Sequence, residues 1–203
     1  MKNLEEKILA QLRCGTCFLL PEVCLCSLIP NLNLSTKVSL IIHKLEMNRS
    51  SNTGRLALKA LPNSAMIIRG LKNDTPDLSQ LFDDEYETLL LYPSDDSIEL
   101  TEDFVKGIKK KIQLIVPDGN WGQARKVHTR HKELANIKRV MIQRKGIDRQ
   151  YLRKPHAENG MSTLQAIAYA LGMIEGEAVQ DQLLKLYNEK LTRTLRHYRR
   201  GQK

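Results

Sequence analysis

The sequence predicts an α/β fold, a mainly parallel sheet flanked by helices, with a small cysteine-rich unit ahead of it. Two observations carry this. From Lys37 onward, apolar runs of strand length alternate with stretches of helical periodicity, the pattern of right-handed crossovers between parallel strands. All four cysteines precede that alternation, at Cys14, Cys17, Cys24 and Cys26. The expected division is therefore an N-terminal helix and four-cysteine zinc knuckle over 1–36 and a larger α/β domain over 37–203.

Taken in order, residues 2–12 form an amphipathic pattern, with Leu4, Ile8, Leu9 and Leu12 on one helical face. The C-x2-C-x6-C-x-C arrangement that follows suits tetrahedral Zn²⁺ in a reducing compartment. Ordinary free thiols and an iron–sulfur cluster are the alternatives. Val38 to Ile42 reads as a buried strand, and a polar loop then leads into a helix over 56–61. Strands follow at 66–68, 88–91, 112–116 and 139–143, the one over 112–116 being ended by Pro117. Helical segments are expected at 77–82, from Thr101 or Glu102 to Lys110, and from just beyond Asp118 as far as Leu134. Ser162 or Thr163 caps a helix that carries Leu164, Ile167, Ala168 and Leu171 on its apolar face. A long amphipathic helix over about 177–199 closes the chain. There is no internal repeat and no G-x-G-x-x-G fingerprint.

Composition narrows the class. Of 203 residues, 41% are apolar and 27% charged, which fits one well-filled soluble globular domain and not two full-sized ones. No run approaches the roughly 18 residues of a membrane span, and the N-terminus lacks the apolar core of a signal peptide; a cytoplasmic location and no membrane partner are expected. The net charge of +9 favours a polyanion as partner, nucleic acid first. Its basic residues cluster at Lys109–Lys111, at Arg125–Lys132 (Arg125, Lys126, Arg130, Lys132), and at Arg193, Arg196, Arg199 and Arg200. The last group exceeds what capping a helix C-terminus requires, so phosphate contact is expected there.

Several polar stretches stand where a strand hands over to a helix, the usual position of ligands in an open α/β sheet. Ser51-Asn52-Thr53-Gly54-Arg55 offers capping groups, or backbone N–H groups and a guanidinium for an anion. Tyr92-Pro93-Ser94 follows the third strand. Asp118-Gly119-Asn120-Trp121 follows the fourth, where Asp118 is either a ligand or catalytic group or a plain helix N-cap. Trp121, the chain's single tryptophan, is either core or a stacking surface. The loop over 146–163 contains Tyr151, Arg153 and His156. Its length points to function or disorder, and the helix it feeds favours function.

Together, and in this order, these segments resemble the DTW-domain tRNA-uridine aminocarboxypropyltransferases. The matching pieces are the cysteine cluster, Glu46 with Ser51–Leu56, Tyr92-Pro93-Ser94, Asp118–Trp121 with Ala124-Arg125-Lys126, Tyr151-Leu152-Arg153 with His156-Ala157, and Thr163 opening a helix. Asn120 stands where the family usually has threonine. The resemblance implies a SPOUT-like fold with a knotted C-terminal cofactor region and S-adenosylmethionine as donor. It also implies transfer of the 3-amino-3-carboxypropyl group to N3 of a tRNA uridine, with release of 5′-methylthioadenosine.

On that basis Asp118, Trp121 and Arg55 are the expected catalytic residues. Asp118 would take or orient the N3 proton, or hold the donor's ammonium. Trp121 would stack on the uridine or the donor, and Arg55 or Arg153 would clamp the donor carboxylate in a bidentate fork. Asn52, Thr53, Gly54, Tyr92, Pro93, Ser94, Arg153, Ser162 and Thr163 are the expected donor-binding residues. His43 and His156 are proton carriers or structural histidines. Two other readings stay open: an RNA methyltransferase of the same fold, and a zinc-containing RNA-binding factor without catalysis. The sequence leaves open the target uridine and whether the molecule is a dimer.

Overall fold

The computed structural model describes residues 12–71, 76–143 and 161–200, with side chains up to 195. The helix expected over 2–12 lies outside them. Six strands form one sheet: β1 (Lys37–His43), β2 (Ser64–Arg69), β3 (Tyr86–Leu91), β4 (Ile98–Glu99), β5 (Lys111–Asp118) and β6 (Lys138–Met141). Their order is β2-β1-β5-β3-β6-β4, and every pairing is parallel. The helices are α1 (Gly54–Ala60), α2 (Glu102–Lys106), α3 (Trp121–Arg130), α4 (Thr163–Glu175) and α5 (Glu177–Arg200).

Alternate residues of a strand face opposite sides of the sheet, and the apolar residues sort accordingly. Val38, Leu40 and Ile42 of β1, with Leu114 and Val116 of β5, join a core shared with α1, α4 and α5. Ile41, Leu90 and Ile115 point the other way, to Val127 of α3, Leu78 and Leu134. Helices therefore cover both faces, and the near-continuous apolar runs of β1 and β5 follow from burial on both sides. Cys17, Leu19 and Leu25 of the knuckle belong to the first core. The end of α4 is tied to the entry of β1 by Glu175, whose Oε1 accepts from Ser35 Oγ at 2.9 Å and from Thr36 N at 2.7 Å.

Several expected boundaries move. Pro117 does not end its strand: β5 runs through it to Asp118, with Ile41↔Pro117 and Ile42↔Asp118 in register with β1. The ladder to β3 stops at Leu90↔Ile115. One flank of β5 is free of that ladder at Pro117, which makes room for a residue without an N–H. The helix expected to reach Lys110 stops at Lys106, where Gly107 caps it. The segment over 77–82 is only a 3-10 turn at Ser79–Leu81, because Asp77 draws Ser79 N onto its own carboxylate at 2.8 Å. α3 ends at Arg130: His131 adopts an extended backbone and is buried, and Leu134 belongs to a separate turn. β2 is longer than expected and β6 shorter. β4 is an unforeseen two-residue edge strand, too short to show a periodicity. Within the C-terminal region expected to be knotted, residues 144–160 lie outside the described ones.

Candidate active site

The strands being parallel, all their carboxyl ends lie on one edge. The chain leaves β1 for β2 on one side, whereas β5 and β3 lie on the other, so β1 and β5 flank the topological switch point. Asp118, the last residue of β5, stands there and is buried. Its Oδ2 accepts from Asn52 Nδ2 and its Oδ1 from Thr163 Oγ1, both at 2.5 Å. Both oxygens thus act as acceptors, as an ionised carboxylate does. Beside this pair, Thr53 Oγ1 accepts from Leu164 N at 3.2 Å, one of the N–H groups that the start of α4 leaves without an intrahelical partner. The β1–α1 loop, the end of β5 and the N-terminus of α4 are thereby locked together.

Local chemistry explains why these side chains are available. Ser162 caps α4 in a reciprocal box with Gln165, which leaves the next hydroxyl, Thr163, free to reach Asp118. Asn120 caps α3 in the same way: its Oδ1 accepts from Gln123 N at 2.9 Å, and Gln123 Oε1 accepts from Asn120 N at 2.8 Å. The plain N-cap reading of Asp118 is therefore corrected, because the cap lies two residues later. Threonine caps helices as asparagine does, so Asn120 keeps that local role. Gly54 sits in close approach: a Cβ there would lie 3.0 Å from Asp118 Oδ2 and 3.1 Å from Leu40 Cδ2, so both neighbours would have to give way.

A second cluster occupies the same sheet edge on the α3 face. Trp121, 42% exposed, is not core; its ring meets Tyr92 edge-on, with centroids 6.4 Å apart. Tyr92 also packs on His128, at 4.8 Å between centroids. The Tyr92-Pro93-Ser94 turn is closed by Ser97, whose Oγ donates to Tyr92 O at 2.7 Å and accepts from Ser94 N at 3.0 Å. Arg125, Lys126 and Arg130 are exposed along α3. Beneath them is a residue that sequence reasoning missed: Arg69, buried at the end of β2, donates from Nη1 to Gln123 O at 2.9 Å and so holds the first turn of α3 to the sheet. An isolated arginine at a strand end gives no periodic signal by which to find it.

The four cysteines form a third group. Their Sγ atoms all lie within 4.8 Å of one another, with Cys14–Cys26 at 3.4 Å and Cys17–Cys24 at 3.7 Å. Zn–S bonds of about 2.3 Å at tetrahedral angles put sulfurs about 3.8 Å apart, so the set fits a divalent metal. Backbone N–H groups of Cys17 and Thr16 lower the Cys14 thiol to about 6. Burial raises Cys17 and Cys26 instead. One thiolate is thus favoured by the backbone, while burial disfavours those of Cys17 and Cys26.

With this geometry in view, comparison with known proteins decides the family. The family model described as the DTW domain matches residues 11–195. The chain belongs to the DTW-domain family. It is 28% identical over 179 residues to a Drosophila melanogaster protein called tRNA-uridine aminocarboxypropyltransferase 2, covering 85% of this chain and 70% of that one. Proteins of the same name from Macaca fascicularis and Mus musculus are 28% and 26% identical over 85% of this chain, which spans 60% of their length. No solved structure matches.

Within this DTW domain the expected donor and catalytic residues do not all converge alike. Asn52, Thr53, Gly54, Asp118 and Thr163 meet directly, while Tyr92, Ser94 and Trp121 line the neighbouring cluster. Arg55 faces its own loop: Nη1 donates to Met47 O, and the guanidinium stacks 4.2 Å over the Phe18 ring. A donor carboxylate would find that edge of the fork already engaged. His43 Nδ1 accepts from Leu45 N at 3.2 Å, a structural use of the ring. Arg193, expected to contact RNA, pairs with Glu189 at 3.1 Å and donates to Cys24 O of the knuckle. Arg153 and His156 lie outside the described residues, as do the side chains of Arg196, Arg199 and Arg200. Lys111 opens β5 at the far end of the sheet from Asp118, paired with Glu85 at 3.3 Å, which removes the Lys109–Lys111 run from this edge.

Proposed function

We propose that the chain is a tRNA-uridine aminocarboxypropyltransferase that uses S-adenosylmethionine as donor and makes 3-(3-amino-3-carboxypropyl)uridine. The observation that supports this most is the fixed carboxylate at the switch point, Asp118 held by Asn52 and Thr163, with an exposed tryptophan three residues on. The names of the relatives point to the same chemistry.

In this reading the uridine stacks on Trp121 at the sheet edge, as exposed RNA bases do on aromatic faces. Its N3 attacks the γ-carbon of the donor's methionyl arm. The N3–C bond forms as the C–S bond breaks, and the electron pair returns to sulfur, which leaves as neutral 5′-methylthioadenosine. The N3 proton passes to, or is oriented by, Asp118. A carboxylate of ordinary pKa, about 3.9, is a much weaker base than the uridine anion. Cations at the rim, Arg125 and Lys126 in this account, therefore stabilise the developing charge. Holding Asp118 by both oxygens supplies the positioning that an in-line displacement needs.

The Asn52-Thr53-Gly54 loop, the Tyr92-Pro93-Ser94 turn and the N-terminus of α4 (Ser162, Thr163) would bind the donor, in a SPOUT-like cofactor region. Arg153 would clamp its carboxylate. Phosphates of tRNA would lie along Arg125, Lys126 and Arg130, with Arg196, Arg199 and Arg200 extending the surface. A zinc ion in the four-cysteine knuckle has every ligand position filled by protein and would be structural. Mass spectrometry of tRNA nucleosides from a strain lacking the gene tests the whole reading. The modified uridine should vanish there and return on bulk tRNA treated with purified protein and donor; its persistence in the deletion would reject the assignment.

A further inference from the structure

Lys190 of α5 is fully buried, and its Nζ donates to Cys17 O at 2.5 Å. No carboxylate among the described residues pairs with it. An ammonium removed from water and given one carbonyl is an unfavourable arrangement, costly unless an anion stands close by. The other cations at this place sharpen the problem. Arg193, one helical turn below, donates to Cys24 O, and among the described residues Glu189 pairs with it, from a position 40% exposed to solvent. Arg13 donates from Nη1 to Phe18 O at 3.0 Å within the same knuckle. Among the described residues, Arg13, Lys190 and Arg193 therefore all donate to backbone carbonyls of the four-cysteine unit, and Glu189 is the one carboxylate paired with any of the three. A set of neutral thiols gives no reason for that charge pattern. Four thiolates around one divalent ion do, since together they carry a net formal charge of about −2.

We propose that Lys190, with Arg193, is the counter-charge of a metal tetrathiolate, so that metal binding in the knuckle and seating of the C-terminal helix are one coupled equilibrium. Both residues reach the cysteines through backbone carbonyls, which leaves the sulfurs to the metal. The coupling runs both ways. A loaded knuckle draws α5 down by charge, and an empty one leaves a buried ammonium that favours release. The helix that begins at Glu177 continues to Arg200, so its arginine-rich end lies just past this anchor.

The test uses the full chain and reads metal and backbone, so its outcome is independent of whether the transfer reaction proposed above is correct. Zinc affinity is measured by competition with a chromophoric chelator for the parent, Lys190→Met and Arg193→Gln. Cobalt(II) absorption identifies tetrathiolate ligation, and amide exchange along α5 is followed with and without chelation. We expect Lys190→Met to lose roughly tenfold to a hundredfold in zinc affinity, the range of an outer-shell partner. Its metal-free form should melt no lower than the metal-free parent, because an apolar side chain has replaced a buried charge. Chelation of the parent should speed exchange over 183–195. Unchanged zinc affinity in Lys190→Met, a metal-free variant that melts well below its parent, a parent with no cobalt tetrathiolate band, or α5 exchange indifferent to chelation would each overturn the proposal.

Discussion

Replacing Asp118 by asparagine separates its chemical role from its structural one. Asparagine is isosteric, its oxygen can still accept from Asn52 Nδ2, and its amide can donate to Thr163 Oγ1, a hydroxyl able to act as acceptor. Both contacts then survive without charge. A hydrogen bond to a charged group contributes about 1.5–3 kcal/mol and a neutral one about 0.5–1.5, so the exchange costs about 2 kcal/mol over two bonds. At about 2–4 °C per kcal/mol for a chain of this size, melting should fall by roughly 4–8 °C. Asp118→Ala removes both bonds and leaves the buried Asn52 amide and the half-buried Thr163 hydroxyl without that partner, a loss of about 4 kcal/mol. That exceeds the roughly 1–2 kcal/mol of a simple helix cap. Activity should separate the two effects. Without a carboxylate at N3, transfer by Asp118→Asn, assayed as modified uridine well below its melting temperature, should drop by about 10²–10⁴. A folded Asp118→Asn protein that transfers at close to the parental rate would refute the reasoning.

Four further outcomes follow from the same geometry. Gly54→Ala brings a methyl to 3.0 Å from Asp118 Oδ2 and should raise the KM for the donor while costing about 1–3 kcal/mol, measured by denaturant titration. Because Trp121 is the single tryptophan and is exposed, its fluorescence should respond when RNA containing the target loop is added; Trp121→Ala should weaken that RNA's binding by about 1–3 kcal/mol in filter binding. Lys126→Ala and Arg130→Ala should each lower the slope of log K against log salt for tRNA by roughly one, whereas neutralising Lys109, Lys110 and Lys111 together should leave the slope alone. Burial holds His43, His128 and His131 below the usual imidazole value, with Arg69 adding to it at His43 and His131 and Arg139 at His128. The unfolded chain therefore takes up those protons first. Their contribution to stability is intact above about pH 6.5 and is lost as pH falls through the lowered folded values, so melting temperature should decline over that window.

The sheet was legible in the sequence because β1 and β5 are buried on both faces and carry near-continuous apolar runs. The parallel arrangement followed from the helices between strands. Boundaries failed where one tertiary fact overrode a local rule: Pro117 persists in β5 because β3 has already ended beside it, and α3 stops early because His131 turns inward. Strand-end loops could be named as site candidates from position alone. Which of them touch could not, since Asn52, Asp118 and Thr163 are brought together only by the sheet order and by the cap that Ser162 supplies. The basic residues show the limit most plainly. Arg193, Arg125 and Lys111 look alike in a charge count, yet one faces the knuckle, one the rim of the site and one the opposite end of the sheet.

The most direct measurement is the by-product formed when purified protein is given S-adenosylmethionine and tRNA. The proposed arrangement, a carboxylate beside the donor's amino-acid arm with the base at its γ-carbon, predicts 5′-methylthioadenosine in equal amount to the modified uridine. Release of S-adenosylhomocysteine would mean that the methyl group is the one transferred. Tight tRNA binding with neither product would mean that the site holds RNA without acting on it.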